Sequence, residues 1–220
     1  MRVLVEPELQ SKVRIAALLF HSLSRCDDDG DEIWRQLSSL GDEIRTAYAG
    51  VPISQIEGIQ NARALYRSIG VDPTKNRPSS EALLRRCIKG KGLYRVHPLV
   101  DALNLVSLRF LLPVGLYDRS KIIGDDVRIT IGDRDWGYEG IRKGRVNVEE
   151  RMCIADSAGP FGSPTSDSRR TSIEGHAREI LITLYQYPDG DAAHLEDARQ
   201  FTQTLIQSHF HGQSVFPTIL

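Results

Sequence analysis

The chain has 220 residues, 40% of them hydrophobic and 26% charged, with 28 basic against 29 acidic side chains and a net charge of −1. That balance excludes a protein that coats nucleic acid over its whole surface, and no run of about eighteen apolar residues is present to build a membrane-spanning helix. Glu6 and Glu8 stand where a secretory leader needs an apolar core, and Cys26, Cys87 and Cys153 fit neither a disulfide framework nor a paired-cysteine metal clip, so a reducing, cytoplasmic setting is expected.

The run KVRIAALLFHS at 12–22 is short, apolar and bounded by polar residues, which suits a buried strand. A helix is predicted over 31–49, with Ile33, Trp34, Leu37, Leu40 and Ile44 at helical spacing. The acidic block before it (Asp27, Asp28, Asp29, Asp31 and Glu32) lacks the spaced ligands of a calcium loop and reads as a turn capping that helix. Further helices are predicted over 55–69, stopped by Gly70, and from Ser79 to Gly90, where Ser79 is the expected cap. His97 and Pro98 open another, reaching Phe110. The pattern then turns to strands, at 126–131, 136–141, 152–155 and 180–187. Between the last two, residues 156–171 read as a loop too long to be a plain connector, rich in Gly, Pro, Ser and Asp. A final helix spans 191–209. The expected class is α+β: one domain over 1–220, with a mixed β-sheet packed by helices and residues 1–50 as a candidate N-terminal lobe.

Two features carry chemistry. Between Arg63 and Arg95 nine basic residues face only Asp72 and Glu81, a local positive stretch able to meet phosphates or to form solvated helix faces. The helix at 98–110 is apolar nearly all round except for Asp101, Asn104 and Ser107, spaced three apart on one side. Polar groups so placed are either satisfied internally or line a pocket. There is no GxSxG elbow, Walker A sequence or GxGxxG, and the six histidines are scattered, so no metal or cofactor is expected. His97 reads as a helix cap, and His176 and His194 as surface residues.

The segments VDALNLVSL (100–108), LPVGLYD (112–118) and Ile154-Ala155-Asp156 resemble the B3/B4 domain of the phenylalanyl-tRNA synthetase β subunit, and more closely the freestanding proteins built on it. The likeness covers about 79–171. In the synthetase this domain hydrolyses mischarged tyrosyl-tRNA, so the resemblance implies a protein that binds tRNA or aminoacyl-tRNA, or a free amino acid, and deacylates a mischarged ester in trans. The synthetase's editing histidine falls on Gly115, and its later acidic residue has no direct match, Asp167 being the nearest carboxylate. Tyrosine specificity is therefore not implied. On this reading the candidate catalytic residues are Asn104, Ser107, Asp167 and Asp118. Ser79, Asp101, Gly115, Tyr117 and Ser168 are candidates for the substrate pocket, with Gly115 leaving open the space of a histidine. Arg77, Arg85, Arg86 and Lys89 would meet RNA. The alternatives are a binding module without chemistry and an enzyme acting on another small molecule.

Overall fold

The computed structural model describes residues 1–26, 28–141 and 144–220, apart from the side chains of 216–218. Asp27 of the acidic block lies outside the described residues. The chain begins with β1 (Arg2–Val5), β2 (Arg14–His21), α1 (Asp31–Ala47), α2 (Glu57–Ser68), α3 (Ser79–Ile88) and α4 (Pro98–Phe110). Strands β3 (Val114–Asp118), β4 (Asp126–Ile131), β5 (Gly137–Gly140), β6 (Gly144–Asn147), β7 (Met152–Asp156), β8 (Gly159–Ser163) and β9 (Ser166–Asp167) follow. The chain closes with β10 (Ile180–Gln186), α5 (Ala192–Phe210) and β11 (Gln213–Ile219).

The strands form two main sheets. One is antiparallel in the order β11-β2-β10-β3; the other is mixed, β1-β4-β7-β8-β9, with only the β1–β4 pair parallel. Strand alternation joins them. Ile180, Ile182 and Leu184 of β10 point to a core shared with Leu37, Leu84, Leu105, Val106 and Leu195 of the helices. Leu181 and Tyr185, on its other face, pack with Ile129, Met152, Ile154 and Phe161 of the mixed sheet. Both faces of β10 are covered, which is why all seven of its residues are buried. The architecture is therefore α+β, in three layers: helices, the four-stranded sheet and the five-stranded sheet.

The striped helix α4 packs against α1, α3 and α5. It buries Leu99, Leu103, Leu105, Val106 and Leu108, so truncating any one of these leucines to alanine should cost about 2–5 kcal/mol. Its start is fixed as expected from sequence: His97 Nδ1 accepts from Leu99 N at 3.2 Å, while Nε2 donates to the Gly175 carbonyl at 2.9 Å. Helix α1 is likewise held by Asp28, whose carboxylate accepts from Gly30 N at 3.1 Å and Glu32 N at 2.7 Å.

Three expectations change. Ser79 does not cap α3: Pro78 holds the cap position without a side-chain bond, and Ser79 is the first helical residue. His194 is half-buried, its Nε2 donating to the Phe110 carbonyl at 2.8 Å. The segment at 156–171 is not an open loop but carries β8 and β9. Its Pro160 sits at a register shift between β7 and β8, the place in a sheet that tolerates a missing N–H. Its Gly162 is there for space, since a Cβ would stand 2.6 Å from the Tyr117 hydroxyl.

Candidate functional site

Helix α4, strand β3 and strand β9 enclose a cavity of about 460 Å³. Helical periodicity turns Val100, Leu103, Asn104 and Ser107 of α4 towards it, and strand alternation turns Val114 and Leu116 of β3 the same way. Asp167 closes it from β9, Ser79 stands at its rim, and His97, Ile141 and Ile173 complete the wall. Four of the residues singled out from sequence (Ser79, Asn104, Ser107 and Asp167) thus come together from separate stretches of chain.

Asp167 is the acidic group of this wall. Burial pushes its carboxyl up to about 7, against the opposing pull of hydrogen bonds from the Tyr117 hydroxyl and the Leu116 N–H. The residue retains some exposure toward the cavity, while its carboxylate is enclosed by protein atoms. Behind it runs a buried line of hydroxyls. Thr183 Oγ1 donates to Tyr185 Oη at 2.9 Å, the two phenols of Tyr185 and Tyr117 are 3.5 Å apart, and Tyr117 reaches Asp167. Burial raises both phenols, so they remain protonated donors at neutral pH.

This line explains Gly115. In β3 it faces away from the cavity, and a Cβ there would collide with the Tyr117 hydroxyl and stand 2.6 Å from Thr183 Oγ1. The space is taken by the phenol and the threonine, and the cavity gains nothing from the glycine.

The polar stripe of α4 divides into three different uses. Asp101 is fully buried and accepts from Val96 N at 3.1 Å and 3.3 Å, fixing the turn before the helix; burial raises its carboxyl, against that backbone bond and the nearby Arg95. Ser107 donates to the Leu112 carbonyl at 2.7 Å, which holds the end of α4 and leaves only lone pairs for the cavity. Asn104 makes no hydrogen bond to any described residue, so its amide is free to serve what enters.

The remaining candidates lie elsewhere. Asp118 is buried below the sheet end, accepting from Ser120 N at 3.0 Å and Ser120 Oγ at 2.6 Å. Ser168 accepts from Thr171 N at 3.3 Å in the core. Tyr117 touches the site through Asp167 alone. Of the basic group, Arg85 Nε donates to Glu81 at 2.8 Å and Arg77 approaches the same carboxylate at 3.6 Å. Glu81 is fully buried and also holds Arg63 of α2 through two bonds of 2.7 Å, joining α2 to α3. Arg86 lies 3.9 Å over the Tyr94 ring and donates to Gly92 O at 3.0 Å, while Lys89 is exposed. The hydroxyl line is not evident from sequence: Thr183 stands directly opposite Gly115, and the Tyr185 and Tyr117 phenols meet diagonally across the two strands, a relation visible only once β10 is paired with β3.

Residues 61–209 match the sequence model of the B3/4 domain, a span that includes every residue of this cavity wall. The chain belongs to the B3/4 domain family. Its α+β layering fits that membership. No curated protein matches the chain. Among the described residues no cluster of metal-ligating side chains occurs, and no helix is long and apolar enough to cross a membrane.

Proposed function

We propose that this B3/4 domain binds the aminoacylated 3′ end of a tRNA and hydrolyses a mischarged ester in trans. The observation that carries the reading is the pairing, in one cavity, of a carboxyl pushed up to about 7 with an unpartnered amide, Asp167 and Asn104. A carboxylate of that basicity is matched to taking a proton at neutral pH.

On this reading Asp167 accepts a proton from a water as its oxygen bonds to the ester carbonyl carbon. The bond from that carbon to the ribose oxygen then breaks, and the proton passes to the departing oxygen. The Asn104 N–H donates to the carbonyl oxygen as negative charge develops there, a kind of interaction worth about 2.7–4 kcal/mol in other enzymes. The aminoacyl ester is already activated, so holding water and carbonyl in line supplies much of the remaining rate. The apolar side of the cavity, built from Val100, Leu103, Leu116 and Ile173, receives the amino-acid side chain. Lys89, exposed at the end of α3, is the member of the basic group best able to approach RNA, Arg77 and Arg85 being drawn to Glu81 and Arg86 to Tyr94.

Incubating the protein with tRNAs charged with each amino acid tests this. Accelerated ester loss for one or a few of them, abolished in Asp167→Asn, is expected. Loss at the spontaneous rate across the panel refutes the hydrolase; retained binding of charged tRNA would then leave a recognition module in its place.

A further inference from the structure

On the far side of β9 from the cavity lies a second depression, a cleft of about 230 Å³ between the β5–β6 hairpin and the turn at Pro164. Its polar lining includes Asn76, Arg145, Asn147 and Arg151, and no Asp or Glu contributes to it. The donors are largely unspent. Among the described residues, Arg145 bonds only the Asp135 carbonyl, at 3.0 Å, and Arg151 has no ion-pair partner. Asn147 uses its oxygen to accept from Glu149 N at 2.7 Å, which leaves its NH2 for the cleft. This differs sharply from the basic stretch around α3, where Arg63, Arg77 and Arg85 converge on one buried carboxylate.

Cleft and cavity share their walls. Ser166 of β9 faces the cleft and its neighbour Asp167 the cavity; Asn76 lines the cleft and Ser79, three residues on, the cavity rim; Arg145 and Ile141 of one hairpin divide in the same way. Two guanidinium groups, two side-chain amides and no carboxylate make a receptor for an anion with several acceptor oxygens. On a polynucleotide that anion is the backbone phosphate, which lies one sugar away from a 3′-terminal ester.

We propose that the Arg145/Arg151 cleft is a phosphate subsite that holds the backbone of a single-stranded RNA 3′ end while its terminal ester occupies the neighbouring cavity. The proposal rests on the aminoacyl-tRNA reading of the cavity. It assigns to the cleft a positioning role: phosphate contacts fix register and carry no sequence information.

The test is the salt dependence of binding of an uncharged RNA minihelix with a single-stranded 3′ overhang, to the full chain and to two double variants. R145A/R151A is expected to bind roughly tenfold more weakly at low salt, with the slope of log affinity against log salt shallower by about 1.4, the value for two lost single-strand phosphate contacts. R145K/R151K, which keeps the charge, should retain the slope. Both side chains are exposed, so the variants should melt as the parent does. An unchanged slope in R145A/R151A, no RNA binding by the parent, or equal sensitivity toward a blunt duplex lacking the overhang would each overturn the proposal. The charged-tRNA panel reads the parent hypothesis separately. Ester hydrolysis with an unchanged slope removes the cleft and keeps the hydrolase; the expected slope change without ester loss keeps the cleft and removes the hydrolase.

Discussion

Replacing Asp167 by asparagine should make the protein more stable and inactive at the same time, with a pH signature that identifies the cause. The fold raises this carboxyl from 3.8 to about 7 because burial penalises its charge. Across that interval the folded state holds a proton that the unfolded chain has released, so stability falls as pH rises from about 4 to about 7 and levels off above. The shift corresponds to about 4 kcal/mol at most, reduced toward about 2 kcal/mol by relaxation of the protein around the charge. Asn is nearly isosteric, keeps an acceptor for the Tyr117 hydroxyl and the Leu116 N–H, and carries no charge to desolvate. For a chain of this length, Asp167→Asn should therefore melt about 5–10 °C higher at pH 8. The advantage should shrink to nothing near pH 4, where both forms are neutral. Thermal melts followed by circular dichroism at pH 4, 6, 7 and 8 measure it. A variant that gains nothing at pH 8, or gains equally at every pH, would refute the argument that Asp167 is held at the cost of folding stability. In the deacylation assay the same variant should lose about 10²–10⁴ in rate, the usual contribution of a positioned base.

Three further outcomes follow from the same geometry. Tyr117→Phe deletes a hydrogen bond that lowers the Asp167 carboxyl, so the acid limb of the pH–rate profile should move up by about 1–2 pH units, as expected for one bond to a charged group; an unmoved limb would show that another group titrates. Gly115→Ala places a methyl group against the Tyr117 hydroxyl and 2.6 Å from Thr183 Oγ1, and denaturant titration should find about 1–3 kcal/mol of stability lost, with a larger histidine tolerated still less. Glu81→Gln leaves Arg63 and Arg85 facing a neutral group in a buried place, a change expected to cost about 3–5 kcal/mol at pH 7. Burial alone would raise the Glu81 carboxyl, but the bonds from Arg63 and Arg85 outweigh it and hold it below its ordinary value. Its stabilisation is thus full above about pH 4.5 and fades as pH falls through the lowered value, so the variant should differ from the parent less in acid than at neutrality.

The helices were legible because each carries its apolar residues at one period; α1 to α5 lie within a few residues of where the pattern puts them. Strands β3, β8 and β9 were not, because their glycines and prolines read locally as breakers. Their reason is tertiary: Gly115 and Gly162 clear room for the Tyr117 phenol from two different sheets. The site divided along the same line. Asn104 and Asp167 could be singled out as polar residues in an apolar helix and a long glycine-rich segment. Their equal-looking neighbours Asp101 and Ser107 could not be separated from Asn104, since one is engaged by the Val96 amide and the other by the Leu112 carbonyl, partners set by how the chain turns at each end of α4. The basic stretch misled in a comparable way. Its charge is plain in the sequence, but the inward turn of Glu81 that absorbs three arginines is not.

The matched span of 61–209 contains the whole cavity wall but not the strands that finish the sheet beside it. β2 lies between β11 and β10, and β10 carries β3, from which Val114 and Leu116 line the cavity and Tyr117 braces Asp167. A fragment trimmed to the family boundaries would keep every reacting group and lose the framework that spaces them, exposing the long edge of β10 to solvent or to another chain. Substitutions in β2, far outside any contact with substrate, should accordingly register as altered spacing between Leu116 and Asp167, so that the segment least marked by the family is the one that sets the tolerance of its chemistry.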